Sequence, residues 1–231
     1  MQFIERSVLG VRSAIWTLEN TRTGFRVLLF PMIHVAQPSF YAEVSKRLSS
    51  CDVILCEGIS SRYSKRLSRA YLQLTRNPRL GLVAQHEMAL DHVKERLVLA
   101  DIEGALFDES WKGLSFFNRF VLPIAAYFFG LYLRLFGTRR LMASQINSQM
   151  LESREDFLKD EDLQAVDDIV LGRRDQHLIS VIDDQIAKLD DTNQTIGIVY
   201  GASHMRAVAR HLVQNHECRI KTGEWITVFD L

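Results

Sequence analysis

Four short apolar runs, each ending in polar residues, constrain this chain more than any other feature in it. They are 25–30 (FRVLLF), 52–56 (DVILC), 97–100 (LVLA) and 195–200 (TIGIVY). Each is rich in Val, Ile and Leu without alternation, the pattern of a strand covered on both faces. Helical periodicity fills the stretches between them. Residues 38–48 open with Pro-Ser, 61–75 put Tyr63, Leu67, Ala70, Tyr71 and Leu74 on one stripe, and 80–96 read as a third helix. Strands alternating with helices specify an α/β fold with a mainly parallel central sheet flanked by helices. Residues 11–18 read as an edge strand. Residues 218–229, with Lys221-Thr222-Gly223-Glu224 between β-rich runs, read as a C-terminal β-hairpin. From about 104 to 191 the strand signals stop. A helix over about 162–189 carries Leu163, Val166, Ile169, Val170, Leu178, Val181, Ile182 and Ile186 on an apolar stripe. With no Gly/Ser-rich linker, this stretch reads as a helical insertion in a single domain over 1–231.

The balance of 28 Lys plus Arg against 28 Asp plus Glu argues against general binding to nucleic acid. Charge is segregated, however. Residues 61–79 hold six Lys or Arg and no acid, whereas acid concentrates in 152–191. Cys51, Cys56 and Cys218 form neither a C-x-x-C pair nor an even set, which suggests a reducing compartment. The opening MQFIERSVLG lacks the pattern of a signal peptide. The expected location is cytoplasmic, with the membrane surface as its extension.

That extension rests on 116–137, which holds six of the thirteen Phe. Its uninterrupted part, 120–133, makes a helix of about 21 Å, against roughly 30 Å for a hydrocarbon core. Three readings stand: a buried helix or homodimer contact, docking on a membrane surface or a re-entrant hairpin, and a true span. A single span would put the early strands and residue 204 on opposite sides. The basic amphipathic stretch 61–79 suits an anionic surface, or is simply a solvated face.

Each strand-like run delivers polar residues just past its carboxyl end: His34, Glu57, Asp101 with Glu103, and His204. In open parallel sheets ligands bind at that edge. Two imidazoles and carboxylates converging there suit a divalent metal with open positions, which would acidify a bound water. Each residue alone has a plainer reading: a hydrogen-bonded His, a salt-bridged Glu57, or Asp101 and Glu103 capping the next helix. Arg174, between Val170 and Leu178, sits beside the apolar stripe. If buried it needs an anion, a site carboxylate or a substrate; otherwise it is a surface arginine. His86 and His177 read as structural or exposed, and Ser203 lacks a G-x-S-x-G elbow.

The run Pro31-Met32-Ile33-His34-Val35 with Ser39-Phe40-Tyr41 resembles the Gly-x-x-His opening of the TraB/PrgY/Tiki family. Asp52-Val53-Ile54-Leu55-Cys56-Glu57 is similar to that family's second strand and its glutamate. Gly201-Ala202-Ser203-His204 resembles the second Gly-x-x-His motif, and Arg174-Asp175 the Arg-Asn/Asp pair before it. The resemblance runs from about 11 to 212, with Pro31 in place of the family glycine. It implies a fold shared with erythromycin-esterase-like and ChaN-like proteins. It also implies a metal-dependent hydrolase of a peptide or ester bond, metalloprotease-like in the Tiki branch. His34 and His204 would then be metal ligands, with Glu57 a ligand or the base and Asp101 a further ligand. Arg174 would stabilise developing negative charge, and the metal would be Mn, Co or Zn. Other branches are described as pheromone-shutdown or haem-related proteins. The rival expectation is therefore a non-catalytic binding or regulatory protein for a peptide, lipid or haem. Proline at 31 removes a backbone N–H and favours that rival.

Overall fold

The run TIGIVY becomes the middle of the sheet. The computed structural model describes residues 1–58, 61–115, 117–151, 168–189 and 193–231. Its strands are β1 (Ile4–Arg6), β2 (Gly10–Asn20), β3 (Arg26–Met32), β4 (Val35–Ala36), β5 (Val53–Cys56), β6 (Val83–Ala84), β7 (Leu97–Leu99), β8 (Thr195–Gly201) and β9 (Cys218–Asp230). The main sheet runs β9–β2–β3–β8–β5–β7, with β1 on the first part of β2, while β4 and β6 form a separate two-stranded ladder. From β3 to β7 every neighbour is parallel, and β2 is antiparallel to both β3 and β9.

Among the described residues seven α-helices flank the strands: α1 (Pro38–Leu48), α2 (Arg62–Thr75), α3 (Gly104–Lys112), α4 (Leu122–Phe136), α5 (Arg139–Leu151), α6 (Arg173–Ile186) and α7 (Met205–Asn215). The pleat sorts the core into two layers, because successive strand side chains point to opposite faces. Phe30, Ile54 and Val199 meet Phe40, Tyr41, Val44 and Leu48 of α1 on one face. Leu29, Leu55, Ile198 and Tyr200 meet Leu178 and Ile182 of α6 and Val208 and Leu212 of α7 on the other. The expected α/β architecture is the one that forms. Gly197 of β8 is required where the sheet meets the end of α1: a Cβ there would lie 2.9 Å from Cys51 Sγ and 3.3 Å from a Leu48 methyl.

Five expectations need correction. Residues 11–18 are a strand but not an edge, because β9 covers the whole free side of β2. The C-terminal segment is one continuous strand rather than a hairpin. Gly223 lets the Trp16 ring of β2 lie against the backbone, where a Cβ would stand 2.5 Å from Trp16 Cζ3. The stretch 80–96 is not an α-helix. Gly81 turns it with φ +60°, β6 pairs with β4, and two 3-10 turns, Gln85–Glu87 and Asp91–Arg96, follow. Ser45 Oγ donates to Ala89 O at 2.6 Å and holds this stretch to α1. β7 is not covered on both faces, since it closes the sheet edge and Leu99 is 63 % exposed. Finally, 116–137 is not a buried helix. Ile124, Tyr127, Phe128, Tyr132, Leu135 and Phe136 are exposed, and only Gly130 and Leu133 of α4 are buried.

The long helix near the end of the acidic stretch begins at Arg173, behind a π turn over Asp168–Gly172. Leu163 and Val166 lie outside the described residues, as does the side chain of Val170. The same holds for Phe116 and for the side chains of Leu67 and Ala70. Pro31 sits within β3 without disturbing it. It lies beyond the last rung of the β2–β3 ladder, and its carbonyl accepts from Ser13 Oγ at 2.7 Å.

Candidate functional site

Because β3, β8, β5 and β7 are parallel neighbours, their carboxyl ends share one edge of the sheet. The polar residues that follow them are ordered along it as His34, His204, Glu57 and Asp101. What joins them is Arg174, in the first turn of α6 and 6 % exposed. Its Nε donates to Asp101 Oδ1 at 2.9 Å and its Nη2 to Asp101 Oδ2 at 2.8 Å. The same Nη2 reaches Glu57 Oε1 at 2.5 Å and Tyr200 Oη at 3.3 Å. Backbone amides complete both carboxylates. Gly201 N–H donates to Glu57 Oε2 at 3.0 Å, while Gly58 and Ile102 N–H donate to Asp101 at 3.2 and 2.9 Å. Two carboxylates, Asp101 buried and Glu57 largely so, are thus satisfied by one planar cation with a fork geometry, and by main chain. Neither Asp101 nor Glu103 caps α3, whose amino end has no side-chain cap.

Charge follows from this arrangement. Burial pushes the Glu57 carboxyl up, but Arg174, His34 and His204 together outweigh it and hold the group below the usual carboxylate range. Burial works against the Arg174 cation too, yet Asp101 and Glu57 raise its pKa further above its ordinary value. The Tyr200 phenol is pushed well up by its burial and stays protonated.

His204 ends a 3-10 turn over Ala202–His204 that feeds directly into α7. It is 2 % exposed. Its Nδ1 lies 2.6 Å from Asp175 Oδ1, so the Nδ1–H donates to that carboxylate and Nε2 is left for other chemistry. Its ring meets the Tyr200 ring edge-on, with centroids 4.8 Å apart. Gly201 keeps the group tight: a Cβ there would stand 3.4 Å from both Glu57 Oε2 and His204 Cδ2. His34 is different. It is exposed, stacks on Tyr71 at 4.7 Å, and has Nδ1 3.3 Å from Gln85 Oε1.

A divalent metal needs donor atoms that all approach within about 2.0–2.2 Å of one point. His34, Glu57, Asp101 and His204 do not fit that as they stand. Among the described residues the one set of three His, Cys, Asp or Glu side chains with ligand atoms within 4.8 Å of each other lies elsewhere. Both oxygens of Glu57 and both of Asp101 are already engaged, chiefly by a cation. Strand order contributes: β8 separates β3 from β5, so the strands that lead to His34 and Glu57 are two spacings, roughly 10 Å, apart. Arg174 in turn has its Nε and Nη2 committed to the carboxylates.

Two members of the site carried no role in the sequence reading. Asp175 was visible only as the neighbour of Arg174, and its partner could be found only once α6 and α7 were side by side. Tyr200 looked like one more apolar strand residue, although a buried phenol calls for a polar partner. His86, His177 and Ser203 are exposed and take no part. No family model, no curated protein and no solved structure matches the chain.

Proposed function

We propose that the protein is a hydrolase of peptide or ester bonds, in keeping with its resemblance to the TraB/PrgY/Tiki family, and that His204 is its general base. The observation that carries this reading is the pair of buried His204 with Asp175 at the carboxyl edge of the parallel strands. A carboxylate on Nδ1 fixes the tautomer and ring orientation and stabilises the imidazolium, so Nε2 can take a proton from an attacking water and return it to the leaving group. Glu57, Asp101 and Arg174 form the rigid floor that keeps Gly201 and the following turn in position. His34, exposed at the neighbouring strand end, is the side chain best situated to meet the substrate. A divalent metal (Mn, Co or Zn) held by His34, Glu57 and His204 would require Glu57 to exchange Arg174 for the ion. Activity lost to a chelator and also lost in His34→Ala would mark that arrangement.

The test is a panel of peptide and ester substrates with the purified chain, His204→Ala and Asp175→Asn. Turnover by the wild type is expected, with His204→Ala inactive and Asp175→Asn reduced in kcat at little change in KM. Unchanged turnover in His204→Ala refutes the assignment. Ligand binding by the wild type with no turnover across the panel favours the non-catalytic reading.

We further propose that this chemistry takes place at an anionic membrane surface. The exposed apolar face of α4 lies beside α2, which carries exposed Lys65 and Arg69, and exposed Arg140 follows just beyond. The side chains of Arg62 and Arg66 lie outside the described residues. Apolar and cationic groups on neighbouring helices suit acyl chains under anionic headgroups.

A further inference from the structure

We propose that Asp183, His211 and His216 form a binding site for a divalent transition metal of the zinc class, distinct from the sheet-edge site. Asp183 lies on α6, His211 on α7, and His216 at the residue that ends α7. The Nε2 atoms of both histidines stand 2.6 Å from the same oxygen, Asp183 Oδ1. All three ligand atoms fall within 4.8 Å of one another. Two imidazoles and a carboxylate are the donors borderline divalent ions prefer, and three protein ligands leave a position for water.

Without an ion, two ring N–H groups must crowd one carboxylate oxygen at the short end of N–H···O distances. With an ion about 2.0–2.1 Å from each donor, the N···O separations open to roughly 2.9–3.4 Å, and each Nε2 gives up its proton, a neutral ring carrying it on Nδ1 instead and a charged ring releasing one to solvent. The side chains move only by tenths of an ångström. The rings are already set against each other, with centroids 5.2 Å apart and planes at 67°. The backbone at His216 is fixed as well. Its carbonyl accepts from buried Asn20 Nδ2 at 2.5 Å, its N–H donates to Leu212 O at 3.2 Å, and Glu217 turns the chain with φ 51°. The carboxylate is half-exposed, with 45 % of its side-chain surface accessible, against 15 % and 20 % for the histidines, so an ion can enter from solvent.

The consequence is mechanical. Asp175 pairs with His204 near the amino ends of α6 and α7, and Asp183 pairs with His211 and His216 about two turns further along the same two helices. An ion at the lower rung clamps the helices that carry the upper one.

The experiment titrates Zn²⁺ and Co²⁺ into the full chain after dialysis against a chelator, read by calorimetry and thermal melting. One equivalent should bind and raise Tm. The pair His211→Asn with His216→Asn, and separately Asp183→Asn, should weaken binding by more than about tenfold, the least that even an outer-sphere loss causes. His34→Ala with His204→Ala should bind as the wild type does. Imidazole ¹⁵N spectra of the wild type need no variant: Zn²⁺ should shift His211 and His216 and leave His34 and His204 in place. No saturable equivalent, equal binding in the Asp183 and His211/His216 variants, or shifts confined to His34 and His204 would overturn the proposal.

Discussion

Replacing Arg174 by Met would leave Glu57 and Asp101 facing each other in the interior with no cation between them. Their side chains are 14 % and 0 % exposed, so water can replace little of the lost cation. Breaking a buried ion pair from one side costs about 3–5 kcal/mol, and Arg174→Met should lose that much in urea unfolding. Arg174→Lys keeps the charge but not the fork that spans both carboxylates, and should fall between. The same network makes a pH prediction. Because the folded-state pKa of Glu57 is depressed, its contribution to stability is complete above its unfolded value of about 4.3 and is lost as pH falls through the lower folded value. The stability gap between wild type and Glu57→Gln should therefore be widest near neutrality and close below about pH 4 in denaturant titrations. A gap that widened in acid would contradict the depressed pKa. At this scale the sequence brought out polar residues that the structure gathers along one sheet edge, and not how they bond to one another. The apolar neighbours of Arg174 left two readings open, a buried cation beside an anion or a surface arginine, and that one guanidinium would take both carboxylates depends on β5 and β7 being adjacent.

Helix α4 illustrates the limits of reading elements from hydropathy. Its Phe-rich composition is equally that of a core helix, and only the packing of Gly130 and Leu133 inward, with Phe128 and Phe136 outward, separates the cases. Residues 119–136 are long and apolar enough to cross a bilayer, yet β5 before them and β8 after them are hydrogen-bonded neighbours, so a single crossing between those strands does not occur. If lipid covers this face, the chain should bind anionic vesicles with a salt-sensitive affinity, and Phe128→Glu with Phe129→Glu should abolish binding in sedimentation assays. If a second copy covers it, the same variant should instead become monomeric, with no change at vesicles. The elements that were legible, α1 and the parallel strands, owe that to local signals: Pro at the helix start and unbroken β-branched runs. The stretch 80–96 was not, because its apolar spacing serves 3-10 turns and a short ladder to β4 that only tertiary contacts create.

Across the whole molecule, order in sequence and order in space run against each other. The first three parallel strands are synthesised early, but β3 and β5 are not neighbours: the strand that joins them, β8, begins at residue 195 of 231. The alternation of strands and helices predicted a parallel sheet, whereas the partners of β8 were set by a return from β7 over a long intervening sequence that no local pattern encodes. Synthesis proceeds from the amino terminus at about 5–20 residues per second, so for several seconds the emerging chain carries two buried-type strands with open edges and nothing between them. Chains released before Thr195 should then be protease-sensitive and aggregate, whereas chains extended through Asn215 should gain protection across β3, β5 and β8 together in pulse proteolysis. A nascent chain of this kind depends on being shielded at the ribosome until its central strand arrives, and slowed translation upstream of residue 195 should lower the yield of folded protein more than the same delay placed after it.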